Sequence, residues 1–300
     1  MRVIGISVVR DEIDVIEASI RHALRVLCDH VVVLDNGSTD GTWRMLSELA
    51  RVLPLTIFRD AGPFDQSAMV TGLLHEVSAS GPDWVLPFDA DEFWWSSSRK
   101  PREALASVPW DVGVLSSPVV NFVAKRSSSG RDPANLLGMR YRVRRDWAGR
   151  EEVLAGSASF VELSYPPKVL LRPSMRAVIG PGNHTVRDHD GATAQDHPLR
   201  CLHAPLRSFA DLERRSHLRD RHIASARSPA GTGGWQFDHW QSLRESQGLR
   251  LEWVWNSQEG GRLGRPEAPR LTRDRTLSWL VRRAMRFRSR HRGRAGPSPA

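Results

Sequence analysis

Long apolar runs are missing from this chain of 300 residues. No window approaches the roughly eighteen apolar residues that a membrane helix needs. Cysteine is scarce as well. Cys28 and Cys201 are the only two, too few for a disulfide framework or a four-thiolate metal site. That scarcity predicts a reducing, cytoplasmic setting. Met1–Val9 is apolar but breaks at Arg10-Asp11-Glu12. It is too short for a secretion-signal core and has no small-residue cleavage site. Lysine is nearly absent too: 3 Lys stand against 40 Arg. Genome composition accounts for that preference, and no function is read from it.

What remains is ordinary for a globular protein. Apolar residues make up 40% and charged residues 26%, enough for a normal core and against a wholly disordered chain. The length suits one large α/β domain or two modest ones. The net charge of +9 is uneven. Residues 262–300 hold twelve Arg against Glu267 and Asp274, a net of +10, which leaves −1 for residues 1–261. A basic tail on a near-neutral body suggests an anionic partner, a membrane surface or nucleic acid.

Strand-like and helix-like segments alternate through the first half. Arg2–Val9 reads as a buried strand, His30–Leu34 as a second apolar strand, and Leu55–Phe58 and Trp84–Phe88 as a third and a fourth. Ile13–Leu27, Trp43–Val52 and Gln66–Ser78 read as helices between them. This alternation predicts a parallel sheet flanked by helices, with ligands beyond the carboxyl ends of the strands. Later segments are less regular. Val112–Val120 reads as a strand, Val153–Leu171 as β-branched pieces broken by Pro166-Pro167, and Phe209–Ala226 as a charged helix. No internal repeat is present.

The strongest local signal is the strand Trp84–Phe88 running into Asp89-Ala90-Asp91-Glu92-Phe93. In extended chain, residues i and i+2 share a face, so Asp89 and Asp91 would converge. Two carboxylates at one point repel unless a cation joins them, and their hard oxygens suit Mg²⁺ or Mn²⁺. The plainer alternative is a solvated acidic turn with Asp91 capping a helix. A second signal, Asp35-Asn36-Gly37-Ser38-Thr39-Asp40-Gly41-Thr42, follows a buried strand and opens a helix. It is neither a glycine-lysine phosphate loop nor a dinucleotide GxGxxG fingerprint. Thr39 or Asp40 could simply cap the helix. Asp35, at the strand tip, is better explained by a hydrogen bond to a nucleobase or ribose.

Together with Val8-Val9-Arg10-Asp11-Glu12 after the first strand, these pieces resemble glycosyltransferase family 2, with its GT-A nucleotide-sugar fold. The resemblance covers about residues 1–120 well and thins to about 220. Gly182-Asn183-His184 and His203-Ala204-Pro205-Leu206-Arg207-Ser208 are similar to further elements of one subgroup. Asp11 departs from that subgroup's usual Asn, so it would point away from a pyrophosphate or bind the base. The resemblance implies a Rossmann-like, mostly parallel central sheet with a smaller mixed acceptor-side region. It implies a nucleotide-sugar half over 1–120, an acceptor-side half over 121–260 and a basic tail over 261–300.

The implied activity is inverting transfer of a sugar from a nucleoside diphosphate to a glycan, lipid-linked or other acceptor. Donor contacts would come from Val9, Asp11, Glu12, Asp35, Gln66, Asp89 and Ala90. Asp35 would read the base, and Asp89 the ribose or the metal. Asp91 would ligate Mn²⁺ or Mg²⁺, with His203 completing the shell. His184 and Arg207 belong to the subgroup elements, His184 with an equal claim to an acceptor role. Inversion needs a general base. Glu152 is chosen over Glu151 and Asp188, and over Glu92, whose side chain would face away from Asp91.

Two further features remain. The tryptophans between Trp235 and Trp255 could stack on sugar rings, though packing is the better explanation. Leu277–Arg288 sets Leu277, Leu280, Val281 and Ala284 on one helical face. That fits a basic amphipathic helix on the inner face of an anionic membrane or, equally, a helix docked on its own domain. The competing functions are a metal-dependent nucleotidyltransferase on a similar sheet and an Arg-tail nucleic-acid-binding protein. The first lacks a glycine-rich basic loop, and the second a recognised motif.

Overall fold

A computed structural model describes residues 1–144, 147–218 and 234–287. The first half runs β1 (Val3–Val9), α1 (Ile16–Val26), β2 (His30–Asp35), α2 (Thr42–Ala50), β3 (Leu55–Arg59), α3 (Gln66–Ser78) and β4 (Trp84–Pro87). Then follow β5 (Glu92–Ser96), α4 (Pro101–Ala106), β6 (Val112–Ser117), β7 (Val119–Asn121), α5 (Ala134–Gly138), β8 (Tyr141–Arg142) and α6 (Arg150–Leu154). The later elements are β9 (Lys168–Leu171), β10 (Val178–Ile179), β11 (Val186–Arg187), β12 (Ala192–Ala194), β13 (Leu199–His203) and α7 (Phe209–Ser216). Three helices close the described chain: α8 (Trp235–Glu245), α9 (Leu249–Asn256) and α10 (Thr276–Met285).

Seven strands form the main sheet in the order β12-β6-β9-β4-β1-β2-β3. Every pairing is parallel except those of β9, which runs antiparallel to both β4 and β6. The expected mostly parallel sheet is therefore present; the apolar runs of its inner strands β1, β2 and β4 are buried, while the edge strand β3 leaves Phe58 exposed. The parallel strands β1, β2 and β4 end at Val9, Asp35 and Pro87, on one edge. An antiparallel strand starts where its parallel neighbours stop, so β9 delivers Lys168 to that same edge.

A second sheet, β5-β13-β7, stands beside this edge. Its register sets His203 opposite both Glu92 and Asn121. The sequence reading of Val112–Val120 as one strand is corrected here. Pro118, which has no N–H to donate, separates β6 in the main sheet from β7 in the small one. Val153–Leu171 also differs: only Lys168–Leu171 is a strand. Before it stand α6 and a 3₁₀ turn at Phe160–Glu162, where the Ser159 N–H donates to Glu162 Oε2 at 2.9 Å and the Glu162 N–H to the Ser159 carbonyl at 2.9 Å. Of the charged helix expected over 209–226, α7 ends at Ser216, and residues 219–226 lie outside the described residues.

The tryptophan stretch packs. Trp240 and Trp253 are buried, and Trp240 meets Phe160 edge-on at 4.8 Å. The apolar face of α10, Leu277, Leu280, Val281 and Ala284, is buried against α1 and α5. Among the described residues no helix is long and apolar enough to cross a membrane.

Candidate active site

Asp89, Ala90 and Asp91 form the turn joining β4 to β5, closed by a bond from the Glu92 N–H to the Asp89 carbonyl at 3.1 Å. The chain is not extended here. The shared-face argument therefore fails, and the two carboxylates take separate partners.

Asp89 turns toward β9 and the Gly180–His184 turn. Its Oδ1 accepts from Gln66 Nε2 at 3.1 Å and Asn183 Nδ2 at 3.0 Å, and its Oδ2 from Lys168 Nζ at 2.7 Å. Lys168 also reaches Glu92 Oε1 and the Gly182 carbonyl, each at 2.6 Å. Burial opposes the ammonium charge, but Asp89 and Glu92 outweigh it and push Lys168 up. Burial pushes Glu92 up to about 8 despite Lys168. Lys168 is thus shared between two carboxylates, Asp89 and the more deeply buried Glu92. Gly182 has φ +68°, and a Cβ there would lie 2.6 Å from the His184 ring, so glycine is required. Gln66, at the start of α3, also accepts from the Gly182 N–H at 3.0 Å.

Asp91 turns the other way. Its Oδ2 lies 3.6 Å from His203 Nε2, 3.3 Å from Arg215 Nη2 and 3.5 Å from Arg207 Nη1. Burial alone would raise its carboxyl. His203, Arg215 and Arg207 overcome that and hold Asp91 well below the usual range. Arg207 is buried and also meets Asp14 and Glu12 at 2.6 Å each and Asp211 at 3.4 Å. Glu12 therefore serves as a counter-ion for Arg207 and Arg214, and burial keeps its pKa raised. Arg131 extends the network from Asp14 to Asp40.

Asp35 is fully buried at the tip of β2. Its Oδ1 accepts from the Ser38 N–H at 3.0 Å, while Oδ2 has no hydrogen-bond partner among the described residues. Asp11, at φ +55°, is buried and accepts from Thr39 N–H at 2.7 Å, tying the first loop to the second. Asp40 holds the start of α2 through Thr42 and so has the capping role considered for it. The Val9 carbonyl takes the Asn36 N–H at 2.8 Å, and Ala90 is buried in the turn. His184 bonds the Pro167 carbonyl, and burial followed by the Lys168 charge lowers it to about 4. Glu152 caps α6 by accepting from the Gly149 N–H at 3.0 Å. Acting as a base would require it to leave that cap.

The donor pair whose chemistry suits a divalent cation is Asp91 with His203, where Arg215 and Arg207 would have to yield the Asp91 Oδ2. Asn121 Nδ2 donates to the Val161 and Leu163 carbonyls at 3.1 Å each, which turns Oδ1 to His203 Nδ1 at 2.9 Å. Nδ1 therefore carries a ring hydrogen, and Nε2 faces the Asp91 carboxylate: protonated it pairs with Asp91, deprotonated it offers a lone pair. A lone pair and a carboxylate oxygen side by side suit Mn²⁺ or Mg²⁺. Asp89 fits poorly, because Lys168, Gln66 and Asn183 engage both its oxygens. Among the described residues, no group of three or more His, Cys, Asp and Glu is arranged to hold a metal. The expected Asp89–Asp91–His203 shell is thus not assembled, since the turn separates its two carboxylates.

Residues 6–127 match the family model described as glycosyl transferase family 2. The match runs from β1 through the loop after β7 and supports a nucleotide-sugar glycosyltransferase. Similar solved structures include the mannosyltransferase PcManGT from Pyrobaculum calidifontis in complex with GDP-Man and Mn²⁺. It is 19% identical, with 84% of this chain and 74% of that chain covered and a TM-score of 0.40. S. aureus TarS 1–349 in complex with UDP is 13% identical over 82% and 72%, with a TM-score of 0.40. Glucosyl-3-phosphoglycerate synthase from Mycobacterium tuberculosis, with Mn²⁺, UDP and glucosyl-3-phosphoglycerate, is 18% identical over 39% and 44%, with a TM-score of 0.28. No curated protein sequence matches the chain. None of the site's chemistry rests on these likenesses.

The residues that the sequence reading missed are Lys168, Asn121, Asp14, Asp211 and Arg215, and Asn183 was named only as part of the Gly182-Asn183-His184 element. Lys168 had a signal: it is one of only three lysines in an arginine-rich chain, placed just after Pro166-Pro167. Asn121 and Asp14 had none, since their partners His203 and Arg207 lie 82 and 193 residues away.

Proposed function

We propose that the chain transfers a sugar, with inversion, from a nucleoside diphosphate donor to a glycan or lipid-linked acceptor. The observation that supports this reading is the placement of Asp35, Asp89 and the Asp91–His203 pair along the carboxyl edge of the sheet. Asp35 Oδ2, buried and unpartnered among the described residues, is suited to accept a nucleobase N–H. Such an atom is costly to leave unmatched. Asp89 has about four acceptor positions, and three are taken by protein donors. The fourth would take a ribose hydroxyl. Asp91 and His203 would hold Mn²⁺ or Mg²⁺, which neutralises charge on a diphosphate leaving group when bound. Asn121 keeps the His203 lone pair pointed at that place. Residues 1–120 form the donor side in this reading and 121–260 the acceptor side, with Glu152 as the candidate base once released from its cap.

A donor panel tests the proposal. Purified protein is mixed with nucleotide sugars and Mn²⁺, and nucleoside diphosphate release is measured. Release from at least one donor, dependent on the metal, is expected. Preferred binding of a nucleoside triphosphate over every diphosphate would favour nucleotidyl transfer instead.

A further inference from the structure

The apolar face of α10 is buried in the protein, so the face it shows to solvent is the other one. Helical spacing places Arg275, Trp279, Arg282, Arg283 and Arg286 along that side. All five are exposed, Trp279 by 47%, and Met285 beside them by 43%. The Arg283 guanidinium lies 4.5 Å from the centre of the Trp279 ring. Arg25 of α1 adjoins this row: its guanidinium is lowered by burial and then by the Arg283 charge. No acid lies within α10. Asp274, just before it, is engaged by Arg142 and by the Thr276 N–H. Beyond the helix, residues 288–300 add Arg288, Arg290, Arg292 and Arg294 and no acid.

Like charges gathered on one surface repel, and an anionic partner relieves the repulsion. The indole narrows the partner's chemistry. A nucleic-acid backbone would use the cations alone, whereas a lipid headgroup layer uses cations and an amphipathic ring together. We propose that this face docks the protein on an anionic phospholipid surface, with α10 lying along the membrane and its apolar side still packed on α1 and α5. The sequence alone pointed to the opposite face. This inference does not depend on the catalytic assignment.

The test is co-sedimentation of the full chain with vesicles. Phosphatidylcholine vesicles containing about one-third phosphatidylglycerol are compared with pure phosphatidylcholine. Binding to the anionic vesicles alone is expected. A basic residue near such a surface contributes about fivefold, so Arg282→Gln/Arg283→Gln/Arg286→Gln should weaken binding about 100-fold. Trp279→Ala should weaken it several-fold, and both variants should melt like the parent. Arg288→Gln/Arg290→Gln/Arg292→Gln removes as much charge from the tail and should cost less than about tenfold. An equal or larger loss in the tail variant overturns the proposal, as does equal binding to neutral vesicles. So does tighter binding to a short duplex DNA, competed away from the vesicles and insensitive to Trp279→Ala.

Discussion

On one side of the β4–β5 turn, Lys168 sits among Asp89, Glu92 and the Gly182 carbonyl. On the other, Arg207 sits among Glu12, Asp14, Asp91 and Asp211. The lysine corner is small and closed. A compact ammonium fits three oxygens at 2.6–2.7 Å, and its job is to fasten the Gly182 turn to Asp89. The arginine corner is extended, because a planar guanidinium distributes its donors over several carboxylates. It ends at Asp91, where His203 Nε2 and Arg215 also meet the carboxylate. The closed corner positions a side chain, and the extended one brings a carboxylate and an imidazole nitrogen together.

The comparison can be broken most severely at Arg207. Arg207→Met would leave Glu12, Asp14 and Asp211 without their shared buried cation. A stability loss of about 3–5 kcal/mol is expected in urea unfolding. A loss under about 1 kcal/mol would mean that Arg214, Arg215 and Arg131 suffice without it. Lys168→Met should cost about 3 kcal/mol, at the low end for a broken buried pair because Asp89 is partly exposed. Lys168→Arg should rescue little, since the larger group does not fit among acceptors this close.

Sharpening the arginine corner calls for a change that spares Asp91. Asn121→Leu removes the acceptor that orients His203. Loss of such a supporting partner typically weakens metal binding about 10–100-fold. Titration of Mn²⁺ in the presence of nucleoside diphosphate would read it, and unchanged affinity would show that His203 needs no such support.

The smallest effect comes from His22, outside both corners. It is buried, bonds the Trp94 carbonyl at 2.7 Å, and burial lowers it to about 4. The unfolded chain binds a proton near 6.5, so the folded state loses stability as pH falls from about 6.5 toward 4. Between pH 7 and pH 6 the loss is under about 1 kcal/mol. His22→Phe should flatten that part of the stability profile in thermal melts, and an unaltered slope would remove His22 as its source.

Local signals carried the first half of the fold. The helix expected over Gln66–Ser78 is found at those bounds, opened by Asp65 accepting from Ala68 N–H. Asp35 was identifiable because a carboxylate at a buried strand tip needs a reason. The second half failed where local pattern misled. The β-branched pieces of 153–171 gave no sign of the 3₁₀ turn at Phe160–Glu162, which the Ser159 N–H and Glu162 carboxylate hold together. The Asp89–Asp91 spacing invited an extended geometry that the turn does not have. Lys168 reaches Asp89 only because β9 runs antiparallel, and topology of that kind leaves no mark in spacing.

The claim at the centre is that Asp91 and His203 hold a divalent cation against a diphosphate. Isothermal titration of the preferred nucleoside diphosphate, with and without Mn²⁺, measures this in the parent and in Asp91→Asn. The account predicts that Mn²⁺ strengthens binding to the parent and has no effect on Asp91→Asn, with that variant still folded by its melting curve. Undiminished Mn²⁺-dependent binding in folded Asp91→Asn would contradict it.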